Sequence, residues 1–173
     1  MTEDEQIAYV KKSWKNIKDI DNPSEAVQLA AVSKDGFSIR FIEDPSEAVQ
    51  MVAVLYGGAT IQHCINNPSE AVQLAAVTKD GRAMKYINNP SVQVQMAAVA
   101  QNAFSIQFIE SPSEPIQLAA VSQDGEVIQI INDPSEAVQL AAVTQDGWAI
   151  KYIADPSDRV KMLAELCKVH EHD

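Results

Sequence analysis

The ten residues Pro-Ser-Glu-Ala-Val-Gln-Leu-Ala-Ala-Val at positions 23–32 occur again, unchanged, at 68–77 and 134–143. Successive prolines of this tract lie 22 residues apart, except for one spacing of 23 that places an inserted residue near His63 and Cys64. Close variants of the tract begin at Pro45, Pro90, Pro112 and Pro156. A fixed period of this length is typical of repeat proteins, in which one small structural element is stacked many times.

The period divides the chain into eight repeats. The first is a degenerate copy and the last is truncated, as expected for caps that must present a polar outer face to water. We predict a single α-helical repeat domain over residues 1–173, with an N-terminal cap, six full repeats and a C-terminal cap at 1–22, 23–44, 45–67, 68–89, 90–111, 112–133, 134–155 and 156–173.

Each repeat carries the signals of two short helices. A residue that favours helix N-caps precedes every repeat proline, and proline is well tolerated at the first helical position. In addition, Glu25 and its counterparts stand three residues after the cap, as in a capping box. The second helix is predicted from about Phe37 to Ile42, because the next proline disfavours its continuation. The predicted caps of the first helices are Asn22, Asp44, Asn67, Asn89, Ser111, Asp133 and Asp155.

An Asp-Gly pair separates the two helices in most repeats. In one repeat Asn102 and Ala103 replace this pair. A glycine that alanine can replace does not need a positive φ. We therefore predict that the Asp or Asn matters more than the glycine, as the N-cap of the second helix.

Helices of this length are marginal in water unless they pack against neighbours. The repeated Ala-Ala pairs, such as residues 30–31 and 75–76, would let neighbouring helices approach closely. The sequence therefore predicts an all-α fold, a right-handed α-solenoid of about seven to eight 22-residue two-helix repeats that forms a HEAT-like superhelix.

Residues 74–86, Leu-Ala-Ala-Val-Thr-Lys-Asp-Gly-Arg-Ala-Met-Lys-Tyr, resemble a family of short α-helical repeats of uncharacterised function. The pattern in that family is an apolar-Ala-Ala-Val tract, one or two polar residues, Asn/Asp-Gly and a second short helix that ends in an aromatic residue. Such repeats occur in phage, giant-virus and bacterial proteins, and their architecture is similar to that of HEAT-type solenoids. The resemblance implies a helical solenoid over nearly the whole chain and implies no catalytic activity.

The composition limits the possible partners. The 173 residues include 13 Lys and Arg against 24 Asp and Glu, which gives a formal net charge of −11. This balance argues against general nucleic-acid binding, which needs cations facing phosphates, and against an anionic membrane surface. Two cysteines without metal-type spacing favour a reducing compartment. Since neither a signal-peptide pattern nor a membrane-length apolar run is visible, we expect a cytoplasmic protein.

The negative charge is concentrated in one part of the chain. Residues 86–150 contain no Lys or Arg. Ordinary solvated faces mix both signs, so this tract favours a directed negative field that attracts a basic protein. On the alternative interpretation the acids serve solubility and helix capping. The predicted acidic binding face consists of Glu110, Glu114, Asp124, Glu126, Asp133, Glu136 and Asp146.

The start of the second helix varies between repeats while the framework stays constant, which is typical of a solenoid that presents a binding surface. We predict Phe37, Phe104 and Trp148 as aromatic anchors for a partner if they are exposed. The alternative is that they fill grooves between repeats. The aromatic residues that close the second helix are expected in the core, and they are Phe41, Tyr86, Phe108 and Tyr152.

One glutamine recurs at the same position of every full repeat. If exposed, these side chains would form a polar stripe that could read a ligand. If internal, they would hydrogen-bond between repeats or to loop carbonyls, as buried amides must. We favour the internal interpretation for the six residues Gln28, Gln50, Gln73, Gln95, Gln117 and Gln139.

Catalytic patterns are weak. His63 and Cys64 are adjacent, so on a helix their side chains would point about 100° apart and would not form a nucleophile–base pair. His170 and His172 are interpreted as parts of a terminal tail. We expect no catalytic residues, no metal site and no cofactor, and we do not expect an enzyme.

The leading hypothesis is a non-catalytic protein–protein interaction module, monomeric or homodimeric, whose acidic face binds and could inhibit a basic partner protein. The family resemblance would allow a phage-encoded anti-defence or host-takeover inhibitor. The alternative is a small-ligand or nucleotide-binding repeat protein in which Arg40, Arg82 and Lys85 provide a local basic stripe.

Overall fold

The computed structural model describes residues 1–64 and 68–170, without the side chains of residues 169 and 170. Every described repeat contributes an α-helix, and all but the last add a short 3-10 helix, while no strand occurs in these residues. This confirms the all-α, two-helix repeat. The α-helices are α1 Glu3–Lys12, α2 Glu25–Lys34, α3 Glu47–Tyr56, α4 Glu70–Lys79, α5 Val92–Gln101, α6 Glu114–Gln123, α7 Glu136–Gln145 and α8 Asp158–His170. The 3-10 helices are η1 Trp14–Asp19, η2 Gly36–Phe41, η3 Gly58–His63, η4 Gly81–Tyr86, η5 Ala103–Phe108, η6 Gly125–Ile130 and η7 Gly147–Tyr152.

The predicted start of the first helix is wrong by two residues. Helix α3 begins at Glu47, and its N-cap is Ser46, whose hydroxyl accepts the Val49 N–H at 3.4 Å. The repeat proline thus precedes the cap, and the Glu is the first helical residue. Proline and serine are adjacent in the repeated tract, and both fit the start of a helix, so the sequence pattern alone favours either register.

The Asn or Asp before the proline has a different role from the predicted cap. Asn22, Asn89 and Asp133 have φ of 48°, 49° and 47°, in the left-handed region. Short polar side chains tolerate this region better than other non-glycine residues. These residues therefore turn the chain from one repeat into the next.

The predicted cap of the second helix is confirmed. The carboxylates of Asp35, Asp80 and their counterparts accept the backbone N–H two residues further on, at 2.9 Å for Phe37 and 3.0 Å for Arg82. Asn102 makes the same bond to the Phe104 N–H at 3.0 Å. An Asp or Asn thus caps five of the seven described 3-10 helices, while Ser13 and Gly57 precede η1 and η3 without a side-chain cap bond.

The glycine that follows the cap is explained by a close approach between repeats, since no glycine has a positive φ. A Cβ added to Gly58 would lie 2.3 Å from the Ala76 carbonyl oxygen of the next α-helix. The same contact would be 2.7 Å between Gly36 and Ala53. The second helix therefore begins directly against the backbone of the following repeat.

The inserted residue of repeat 45–67 does not distort its second helix. Helix η3 has six residues like the other 3-10 helices, and Cys64 ends it as Ile42 ends η2. The extra residue therefore lies in residues 65–67, which are outside the described residues.

The chain divides within α5 into two compact bodies, an N-terminal body of residues 1–97 and a C-terminal body of residues 98–173. In the N-terminal body α1, α2, α3 and α4 pack in sequence, and in the C-terminal body α6, α7 and α8 do the same. Each of the six helices α2 to α7 buries three residues at equivalent positions, of which Val27, Ala31 and Val32 are one example. Stacking of neighbouring repeats confirms the helical-repeat solenoid, while a single continuous domain stays a prediction.

Candidate binding surfaces

The glutamine ladder holds the backbone of each repeat. In α6 the Gln117 Nε2 donates to the Pro112 carbonyl oxygen at 2.9 Å. The same bond, of 2.8–3.0 Å, joins each of the other five glutamines to the proline of its own repeat. The predicted bond to a loop carbonyl is confirmed. These amides fix the segment that leads into each α-helix.

A second ladder joins neighbouring repeats. The Ser135 hydroxyl donates to Glu114 at 2.9 Å, and the Ser157 hydroxyl donates to Glu136 at 2.6 Å. Each bond links the N-cap of one α-helix to the first residue of the preceding α-helix. The N-terminal body repeats it in the pairs Ser24–Glu3, Ser46–Glu25, Ser69–Glu47 and Ser91–Glu70. Sequence reasoning missed this ladder, although the 22-residue recurrence of Ser and Glu was its signal.

We call the segment between a 3-10 helix and the next α-helix, together with the first turn of that helix, the linker edge. It carries four of the seven predicted acidic residues, all exposed. Glu110 and Asp133 lie in linkers, and Glu114 and Glu136 begin α6 and α7. The Ser–Glu bonds align the starts of successive α-helices, so these acids form one row in the C-terminal body. Asp155, in the next linker, extends the row.

The other three predicted acids lie at the opposite edge, which we call the turn edge, where each α-helix ends and the 3-10 helix begins. A ten-residue α-helix is about 15 Å long, so the two edges are well separated. Asp124 and Asp146 cap η6 and η7 and are half-buried. The structure therefore does not bring the seven acids onto one face.

Glu126 is also not part of a base-free surface. Its Oε1 lies 3.3 Å from the Lys151 Nζ and 3.5 Å from the Tyr152 hydroxyl, which donates to it. Hydrogen bonds with Tyr152 and then Glu126 raise the pKa of Lys151. Glu126 belongs to the base-free tract of the sequence, and Lys151 is the first residue after that tract. Folding brings the two side chains together, so a cation lies where the sequence pattern predicted only negative charge.

Of the three predicted aromatic anchors, two are exposed. Phe37 is 38% exposed and Trp148 is 48% exposed, while Phe104 is half-buried. The Lys168 Nζ lies 5.0 Å from the Trp148 ring centroid. Phe37 meets the His63 ring edge-on, with 6.2 Å between the ring centroids.

The expectation that the closing aromatic residues of the second helix are core residues is wrong. Phe41 is 36% exposed, and Tyr86, Phe108 and Tyr152 are half-buried. The cation that precedes the aromatic residue covers its ring in three repeats. These cation–ring distances are 4.6–4.7 Å for Arg40–Phe41, Lys85–Tyr86 and Lys151–Tyr152. The basic stripe of the sequence is therefore partly engaged with rings.

Burial shifts the ionisation of both residues of the His63–Cys64 pair. Burial raises the pKa of the Cys64 thiol to about 12, which keeps it protonated at neutral pH. Burial, and then the charge of Arg40, lower the pKa of His63. Within residues 1–64 and 68–168 no three His, Cys, Asp or Glu side chains are placed to hold a metal ion. His172 and the His170 side chain lie outside the described part.

Grooves open at the linker edge in both bodies. One of about 490 Å³ lies between the linkers that follow η5 and η6, and its wall includes Glu110 and Gln117. The next, of about 310 Å³, is lined by Asp133, Gln139 and Asp155 among others. A groove of about 670 Å³ occupies the corresponding place beside Gln28 in the N-terminal body. Glu110, Asp133 and Asp155 thus line concave sites that recur along the linker edge.

Comparisons with known proteins found no match to a protein-family model, a curated protein or a solved structure. Among the described residues, none of the helices combines the length and apolar character that crossing a bilayer requires.

Proposed function

We propose that the protein is a non-catalytic protein-binding module, and that the linker edge of its C-terminal body binds a basic surface of a partner protein. The observation that carries the proposal is the row Glu110, Glu114, Asp133, Glu136 and Asp155, which is exposed and borders two grooves. The first basic residue at this edge of the body is Arg159, in α8. A basic partner would therefore meet acids over three successive repeats.

The spacing of the row favours electrostatic attraction over detailed imitation of nucleic acid. Packed helices are about 8–10 Å apart, whereas phosphates along one strand are about 3.4 Å apart. The repeat spacing is close to the Debye length of about 8 Å at physiological salt, so each repeat acts as a local, salt-sensitive site. Lys or Arg clusters on a partner would bind with strong salt dependence.

An inhibitory role extends the same proposal. A protein that covers a basic surface blocks whatever that surface binds, including nucleic acid. The resemblance to phage, giant-virus and bacterial helical repeats supports a phage-encoded inhibitor of a host or defence protein as the biological setting, in a cytoplasmic compartment.

The test compares two variants with equal loss of charge. The first is Glu110→Asn, Asp133→Asn and Asp155→Asn, which installs residues that other repeats carry at these positions, as at Asn88 and Asn89. The control is Glu126→Gln, Asp146→Asn and Glu165→Gln, which removes three acids of the same body away from the linker edge. Partners captured from a lysate of the source organism are identified by mass spectrometry and measured against all three proteins at low and moderate salt.

We expect a partner with a basic surface whose binding weakens with salt and is lost in the linker-edge variant alone. Equal binding by the two variants contradicts the proposed surface. A partner without a basic surface, or binding that salt does not weaken, contradicts the proposed class of partner.

A small-ligand or nucleotide-binding role is the second candidate, and the groove of about 490 Å³ favours it, because small-molecule pockets are typically about 300–1,000 Å³. Glu110 in its wall disfavours phosphate groups. The predicted basic stripe is poorly suited to bind a phosphate, since its Arg82 pairs with Asp80 at 3.0 Å. A rise in melting temperature with nucleotides, without capture of a protein, would support this alternative.

A further inference from the structure

Repeat 45–67 departs from the others at three consecutive residues of its turn edge. Leu55, Tyr56 and Gly57 stand where the preceding repeat has Ser33-Lys34-Asp35 and the following repeat has Thr78-Lys79-Asp80. Two polar residues and a capping Asp are thus replaced by a large apolar residue, an aromatic residue and a glycine. The α-helix α3 and the 3-10 helix η3 nevertheless keep the lengths of their counterparts.

The departure weakens the repeat and adds nothing to the core. Leu55 is 55% exposed and Tyr56 is 51% exposed. No side chain caps η3, because its N-cap is Gly57, which replaces the capping Asp at a small cost in stability. A change that exposes apolar surface and removes a cap has no explanation in folding, which points to a binding role.

The exposed residues of α3 adjoin an exposed ring of the preceding repeat. A Cβ added to Gly36 would lie 2.7 Å from the Tyr56 Cβ, so Tyr56 rests against the start of η2. The next residue of η2 is Phe37, which is 38% exposed and meets the His63 ring edge-on. We call Phe37, Leu55, Tyr56 and His63 the aromatic patch. It lies wholly within the N-terminal body.

The rim of the aromatic patch is basic. Lys79 occupies the position of Tyr56 in α4, which packs against α3, whereas the equivalent Lys34 of α2 donates its Nζ to the Lys11 carbonyl oxygen of α1 and so lies away from the patch. Arg40 follows Phe37 by three residues, which in a 3-10 helix places both on the same side. Of the nearby acids, Asp80 pairs with Arg82, which leaves Arg40 and Lys79 against Asp35, so the rim has a net positive charge. The patch therefore combines exposed rings with a positive surround.

We propose that the aromatic patch binds a segment of another protein that carries apolar or aromatic side chains flanked by Asp or Glu. Exposed aromatic residues provide the large contact area of interface hot spots, and the cations of the rim select the charge of the flanks. A second copy of this chain does not fit, because a twofold contact would bring Arg40 and Lys79 of both copies into one interface. This surface has the opposite charge to the linker edge, so it serves a different partner.

The test uses a variant that restores the sequence of the next repeat, Leu55→Thr, Tyr56→Lys and Gly57→Asp. Because Asp80 caps η4 in that repeat, the variant is expected to be at least as stable as the wild-type protein. A displayed library of random peptides is selected on the wild-type protein, and the enriched peptides are synthesised. Their affinities for both proteins are measured by fluorescence anisotropy, and melting temperatures and sedimentation velocity are recorded for both.

The proposal expects enriched peptides that combine apolar or aromatic residues with Asp or Glu and that bind the restored variant about tenfold more weakly or worse. It is overturned if the peptides are basic, if none is enriched, or if they bind both proteins equally. Self-association of the wild-type protein that the variant loses would assign the patch to a second copy instead. A lower melting temperature of the triple variant would show that the three residues have a structural role. The single change Leu55→Ser then separates binding from folding. If it weakens peptide binding at an unchanged melting temperature it supports the proposal, and if peptide binding is unchanged it overturns the proposal.

Discussion

The linker edge and the turn edge of this protein are built from the same short repeat, yet they differ in what stays constant. At the linker edge the recurring Gln, Ser and first-turn Glu side chains form framework bonds, as in the Gln117–Pro112 and Ser135–Glu114 pairs. At the turn edge only the cap and the glycine recur. The residue before the cap differs between repeats and is, for example, Lys79 in one repeat and Tyr56 in another. Side chains that recur in the repeats are those that bond to the framework, whereas side chains that vary between repeats are free to contact a partner.

The largest predicted effect concerns the close approach at the turn edge. Gly58→Ala should destabilise the protein by about 1–3 kcal/mol, because the added Cβ would meet the Ala76 carbonyl oxygen. Gly57→Ala is the matched control, since nothing lies within 4 Å of its added Cβ, and its free energy of unfolding should not fall. Urea unfolding of both variants measures this. Equal losses at the two glycines would contradict the packing explanation.

A smaller effect is expected at the caps of the turn edge. Asp124→Ala should lower the free energy of unfolding by about 1 kcal/mol, because the Glu126 N–H loses its acceptor. Asp124→Asn should be nearly neutral, since Asn102 makes the equivalent bond in the preceding repeat. Thermal unfolding of both variants measures the difference. If the two changes are equally costly, the carboxylate charge rather than the cap bond matters.

The glutamine ladder of the linker edge should have an effect of similar or smaller size. Gln117→Leu removes the donor to the Pro112 carbonyl oxygen and should cost about 0.5–1.5 kcal/mol. Gln129→Leu, at an exposed position of η6, should change stability by less than about 0.5 kcal/mol. Denaturant titrations compare the two. A neutral Gln117→Leu would return the ladder to its alternative role of ligand recognition.

The smallest effect is expected from the exposed Ser–Glu ladder. A double-mutant cycle of Ser157→Ala and Glu136→Gln should give a coupling of about 0.5 kcal/mol, since exposed charge-assisted pairs contribute little. Pairing Ser157→Ala with Glu114→Gln, whose own partner is Ser135, should give none. A large coupling in the second cycle would mean that the ladder acts as one network.

Much of the fold could be predicted because each capping or bonding residue occurs at the same position in several repeats. The change of Asp-Gly to Asn102-Ala103 identified the cap, and the constant glutamine indicated a bond to the loop. The register of the α-helix could not be predicted, because Pro45 and Ser46 both suit a helix start. The structure selects Ser46 as the cap both in this repeat and, at the equivalent serines, in repeats whose proline follows a left-handed residue, such as Asn89.

The candidate site was harder to predict because residues that are distant in sequence become neighbours when the repeats stack. The charge of a surface therefore differs from the charge of the corresponding stretch of sequence. Lys151 follows the base-free tract in sequence but pairs with Glu126 one repeat earlier. Exposure of Phe41 was missed because a 3-10 helix turns faster than an α-helix and presents its last aromatic residue to solvent. The patch at Leu55 could have been noticed from the sequence. Its repeat has Tyr-Gly at the turn, where the repeats on either side have Lys-Asp.

We propose that the linker edge of the C-terminal body attracts basic protein surfaces. A titration of the isotopically labelled protein with a short Lys-rich peptide, followed by amide chemical shifts in NMR spectra, tests this proposal. We expect the shifts to concentrate at residues 109–114, 131–136 and 153–157 and to disappear with added salt. Shifts centred on residues 123–126 and 145–148 instead, or spread evenly over both edges, would contradict it.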